Sequence, residues 1–146
     1  MDLTFKRATK EKDIRAIFDY NIDAFSDTPD FNWTFEEIKK EVKEGWELYG
    51  VYAEGEVIAA LFLHDKDGGL MSKNTAIKMM HQGSGYSHQI KEFIETEARD
   101  RKLERVLHYC RIDNFRMYSL NESHGYKKTA KKIDDGQVVE WVKELH

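Results

Sequence analysis

Apolar positions along the chain follow two different periods, and the change between them marks out its elements. Residues 3–8, Leu3-Thr4-Phe5-Lys6-Arg7-Ala8, alternate apolar and polar side chains as a first strand does. Ile14, Ile17, Phe18, Ile22 and Phe25 then recur at helical spacing. A polar stretch around Pro29 separates this helix from a second one, which opens at the capping sequence Thr34-Phe35-Glu36-Glu37 and continues through Ile38 and Val42. From Trp46 the pattern turns to β-formers, with strands over residues 47–54 and 56–65 joined at Gly55. Asp67-Gly68-Gly69 is a second turn, leading into a strand over 70–79. A long helix is predicted over 87–102, with Ile90, Phe93, Ile94 and Ala98 on one face. A strand over 105–112, a short helix over 114–123 and a hairpin of strands 126–133 and 138–145 complete the chain.

The predicted order is βααβββαβαββ. Hairpin connections make most of the sheet antiparallel, while the strand–helix–strand segment from Leu70 to Ile112 predicts one parallel pair. The fold class is α/β (α+β): about seven strands in a mixed, mostly antiparallel sheet, flanked by about four helices. The 146 residues are expected to form a single domain.

Charge changes this picture little. The net charge is −4 with both signs interspersed, so no basic face for nucleic acid is expected. No apolar run reaches the length of a membrane span. A single cysteine, Cys110, excludes an intrachain disulfide and fits a cytoplasmic setting. Within an apolar strand it reads as core. The six histidines make no metal motif, and no metal site is expected.

The chemistry centres on Gln82-Gly83-Ser84-Gly85-Tyr86-Ser87, between a predicted strand and a predicted long helix. Glycines allow a sharp turn and close backbone approach, and the amides of a helix N-terminus suit an anion such as a diphosphate. A tight turn into a helix cap at Ser87 explains the same residues.

This segment resembles the acyl-CoA loop of the GNAT superfamily of N-acetyltransferases, Gln/Arg-x-x-Gly-x-Gly/Ala. Gln82, Gly85 and Ser87 stand at its defined positions, with Ser87 departing from Gly/Ala, and Ile77 stands where the family has a strand valine. Asn114, Leu120 and Gly125-Tyr126 match a second family pattern at its spacing, and the element order matches over the whole chain.

The resemblance implies an acetyl-CoA-dependent transfer to a primary amine of a small molecule or peptide, by direct attack without an acyl-enzyme. It implies that the strands at 70–79 and 105–112 splay into a V. The pantetheine arm would pair with the backbone of Ile77, Lys78 and Met79, and the diphosphate would rest on Gln82, Gly83, Ser84, Gly85, Tyr86 and Ser87. Asn114 belongs to the same cofactor-binding set.

The family's usual acid, a tyrosine, is replaced here by Asn121, which can donate a hydrogen bond but no proton. Tyr118, one helical turn earlier, is the other candidate beside the leaving thiolate, against a reading as a packed or exposed aromatic. Asn121 reads equally as a surface residue. Candidate bases are His64, Asp65, His108 and Tyr109, each weighed against an ordinary structural role. The alternative function is a catalytically weak CoA-sensing or partner-binding module. The closing hairpin offers an edge for a homodimer.

Overall fold

The computed structural model describes residues 3–25, 34–77, 85–113, 115–133 and 135–145. The elements run β1 (Leu3–Ala8), α1 (Glu11–Phe25), α2 (Phe35–Lys43), β2 (Glu47–Ala53), β3 (Glu56–Lys66), β4 (Gly69–Ile77), α3 (Tyr86–Asp100), β5 (Arg105–Arg111), α4 (Phe115–Ser123), β6 (Lys127–Ile133) and β7 (Val138–Glu144). This is the predicted order. The strands form one sheet in the order β1-β2-β3-β4-β5-β7-β6. The pair β4–β5 is parallel, whereas β1–β2, β2–β3, β5–β7 and β6–β7 are antiparallel.

Two compact units are distinguishable. One takes residues up to 64 together with 73–86, and the other takes 65–72 and 87 onward.

In the first unit, Thr34 caps α2 in an extended conformation, its hydroxyl accepting from the Glu37 amide at 3.1 Å. Ile14 and Ile17 of α1, Phe35 and Ile38 of α2 and Leu48, Ala60 and Phe62 of the sheet form one buried cluster. The apolar run Val57–Leu63 of β3 is buried on both strand faces.

In the second unit, β5 alternates strictly. Val106, His108 and Cys110 are buried, and Arg105, Leu107, Tyr109 and Arg111 are half-buried on the opposite face. The register of its parallel pairing runs from Gly69↔Arg105 to Ser72↔His108. On β7, Trp141 lies opposite His108 and shares its face.

Helix α4 ends in a paired-bond stop. The Tyr126 amide donates to the Asn121 carbonyl and the Gly125 amide to the Glu122 carbonyl, with Gly125 at φ 83°. Only a residue without a Cβ enters that left-handed conformation at low cost, so Gly125 ends the helix where it does. The stop also fixes the backbone of Asn121.

Candidate functional site

Helix α3 starts at Tyr86, so Ser87 lies within its first turn and is not the capping residue. Gly85 precedes it at φ 82° in an exposed position, and a Cβ there would meet nothing within 4 Å. The left-handed turn is set by backbone need alone, and it delivers the chain into the helix one residue earlier than expected. No acidic side chain occupies the first turn of α3, at the positive end of the helix dipole. Ile77 closes β4. Lys78, Met79, Gln82, Gly83, Ser84 and Asn114 lie outside the described residues.

The second candidate residue group is a polar cluster in the interior of the second unit. Asn121 is 0% exposed, Lys91 6% and His108 7%. Asn121 is therefore no surface residue: it faces inward from the last turn of α4. Lys91 Nζ lies 2.8 Å from Asn121 Oδ1 and 3.1 Å from His108 Nε2, and that Nε2 is 2.8 Å from the same Oδ1. The lysine also sits over the Tyr126 ring, 4.2 Å from its centroid.

An amide oxygen only accepts, and a neutral imidazole nitrogen either donates or accepts. The triangle therefore has two proton arrangements. With Lys91 charged, its ammonium donates to both Oδ1 and Nε2, and the His108 ring proton sits on Nδ1. With Lys91 neutral, His108 Nε2–H donates to Oδ1 instead. Burial, reinforced by the Lys91 charge, pulls His108 down to about 3, so the ring is neutral at ordinary pH. Burial lowers Lys91 to about 8, outweighing the attraction of Glu95.

A second layer backs this cluster. Glu95, one turn on from Lys91, is buried and ion-paired with Lys143 of β7. His124 Nδ1 lies 3.5 Å from Glu95 Oε2, and its Nε2 is 2.8 Å from His88 Nδ1. Burial lowers the His124 imidazole despite the Glu95 carboxylate. Sequence reasoning missed Lys91 and Glu95, because a Lys–Glu pair four residues apart on a helix ordinarily marks a solvated face. The one available signal was their position beside Ile90 and Ile94 on the apolar stripe.

The remaining candidates separate. Tyr118 packs edge-on against Trp141 at 4.9 Å between ring centroids, and burial raises its phenol. His108 and Tyr109 do not face one gap together, since neighbouring strand residues point to opposite faces. Tyr109 donates to Glu140 Oε2 at 3.2 Å. It lines a groove of ≈ 710 Å³ floored by Met71, Leu107 and Val142 and rimmed by Lys66, Arg105 and Lys127. His64 packs its ring on Trp46, 5.0 Å between centroids, with Nδ1 3.3 Å from the Gly45 carbonyl. Asp65 pairs with Arg101 at 2.7 Å. Cys110 is buried, as expected of a core residue. Among the described residues no group of three metal-ligating side chains converges, and no helix is long and apolar enough to cross a membrane.

No family model and no curated protein matches the chain by sequence. Solved structures match it over nearly its full length. It is similar to a PaiA N-acetyltransferase from Thermoplasma acidophilum in complex with coenzyme A, with TM-score 0.80 and 12% identity over 99% of this chain and 100% of that one. A GNAT family acetyltransferase from Elizabethkingia anophelis with acetyl-CoA bound matches with TM-score 0.75 and 18% identity over 98% of each chain. A ribosomal-protein-alanine N-acetyltransferase from Brucella melitensis matches with TM-score 0.74 and 18% identity over 97% of this chain and 99% of that one. The mixed seven-stranded sheet with its one parallel pair and four helices is thus the fold of the GNAT N-acetyltransferases.

Proposed function

We propose that this chain is an acetyl-CoA-dependent N-acetyltransferase, a single acyl-CoA-binding domain that moves an acetyl group to a primary amine of a small molecule or peptide in the cytoplasm. The observation that carries the reading is the full-length likeness to acetyltransferase folds, two of them holding coenzyme A or acetyl-CoA. The start of α3 supports it. Its first turn carries no carboxylate to repel a diphosphate, and a Cβ at Gly85 would meet nothing within 4 Å. In this reading residues 82–87 hold the diphosphate, Asn114 belongs to the same site, and the backbone of residues 77–79 pairs with the pantetheine arm. The amine attacks the thioester carbonyl directly, and the thiolate departs.

Incubating the protein with acetyl-CoA and a panel of amino acids, polyamines and free N-terminal peptides tests this. Thiol release above hydrolysis, with an acetyl mass gain on one amine, is the expected result. A broad panel without any release, in the presence of cofactor binding, favours the second reading, a CoA-sensing or partner-binding module. One observation motivates that reading: the residue in the family's tyrosine place has no proton to give.

A further inference from the structure

Strand β5 turns His108 toward α3 and α4, so Leu107 and Tyr109 lie on the opposite face of the sheet, which holds the groove. Every residue lining this groove belongs to the second unit. Met71, Leu107 and Val142 are cross-strand neighbours and make an apolar row across its floor. One row on, about 7 Å along the strands, Tyr109 faces Glu140.

Glu140 is held at both oxygens. Thr129 Oγ1 donates to Oε1 at 2.9 Å, and the Tyr109 hydroxyl donates to Oε2 at 3.2 Å. A bulge in β6 makes this possible. Its pairing passes from Lys128↔Trp141 to Lys132↔Val139, so Thr129, Ala130 and Lys131 stand opposite the single Glu140. The Lys131 amide donates to Thr129 Oγ1 at 3.1 Å and fixes the bulge. Both donors to Glu140 are neutral, and a carboxylate has about four acceptor sites, so its charge and further lone pairs stay on offer.

One ammonium already stands at this point. Lys131 is exposed, with Nζ 5.7 Å from the Tyr109 ring centroid. Tyr109 first, and Glu140 after it, raise the Lys131 ammonium above its ordinary value, so the surroundings favour a primary ammonium here. Other cations at the groove are engaged elsewhere. Arg105 pairs with Glu104 and Glu144, and Lys128 lies over the Tyr118 and Trp141 rings.

We propose that a primary aliphatic amine docks in this groove, its ammonium on Glu140 beside the Tyr109 ring and its apolar body on Met71, Leu107 and Val142, and that Lys131 fills the ammonium position until the ligand displaces it. The docked amine is the acceptor of the proposed transfer. That role rests on the acyltransferase reading above, whereas the binding itself does not.

NMR titration without coenzyme A tests this with hexylamine, with ethylamine, which keeps the charge on a short body, and with hexanoate, which reverses the charge. Hexylamine is expected to bind at about millimolar affinity, ahead of both others. Glu140→Gln is expected to weaken it about tenfold or more. Lys131→Met is expected to tighten it about two- to fivefold by removing the internal competitor, a gain that damage to the fold would not produce. Hexylamine bound no better than hexanoate, or unaffected by Glu140→Gln, overturns the proposal. So does a Lys131→Met protein that binds hexylamine no more tightly than wild type. Acetyl-CoA is titrated in parallel. Binding of acetyl-CoA but not hexylamine sinks the groove assignment alone, whereas binding of hexylamine but not acetyl-CoA removes the acyltransferase reading and the acceptor role with it.

Discussion

Lys91 Nζ and Asn121 Oδ1 meet at 2.8 Å and tie the second turn of α3 to the last turn of α4 inside the second unit. The contact is charge-assisted and wholly buried, so removing either partner strands the other. Asn121→Ala is expected to cost about 1–3 kcal/mol in urea unfolding. Asn121→Tyr, which would restore the family's usual acid, has no room at a fully buried site. It is expected to lose about 1–3 kcal/mol by overpacking. An Asn121→Tyr protein as stable as wild type would contradict this packing.

The same cluster shapes stability against pH. Lys91 ionises at about 8 when folded and near its ordinary 10.5 when unfolded, so between these values the unfolded chain holds more protons. Stability from this group therefore rises with pH from about 8 to 10.5. His108 falls from 6.5 unfolded to about 3 folded, so its neutral burial is lost as stability when pH drops from 6.5 toward 3. Urea midpoints at stepped pH should show both limbs. Lys91→Met should flatten the alkaline one and His108→Gln the acid one.

Helix α3 ends with the same paired-bond stop as α4, the Leu103 amide donating to the Ala98 carbonyl and the Lys102 amide to Arg99. Here the left-handed position is held by Lys102 at φ 60°. Lys102→Gly relieves that strain and is expected to stabilise the protein by about 1 kcal/mol, measured as a raised urea midpoint.

Much of the fold was readable in the chain because its signals are local. The alternation in residues 3–8, the cap at Thr34 and the apolar run Val57–Leu63 each produced the predicted element. Gly125 stopped α4 two residues past its last helical position. The polar cluster was not readable in the same way. Lys91, His108 and Asn121 come from three elements distant in sequence, and each has an ordinary solvated reading by itself. What buries Lys91 is the convergence of α3, β5 and α4, which no local pattern encodes. Asn121 was singled out only through the family resemblance, which gave its position without its surroundings.

Cys110 should behave as a packed side chain. Its thiol is buried and pushed up to about 11, chiefly by burial. A thiol of that kind carries little thiolate at neutral pH. Native protein is expected to react with Ellman's reagent at least about tenfold more slowly than protein in denaturant. Equal rates would place the cysteine at the surface.

The central claim is that acetyl-CoA binds at the start of α3, and calorimetric titration of acetyl-CoA tests it most directly. Wild type is compared with Gly85→Ala and Gly85→Glu. Both variants incur the same left-handed backbone strain at φ 82°, and both side chains start into open space, so they differ in the bulk and charge offered to a diphosphate. The account predicts roughly micromolar binding to wild type. That binding should largely persist in Gly85→Ala and be lost in folded Gly85→Glu. Absence of binding to wild type, or equal binding to Gly85→Glu, would contradict it.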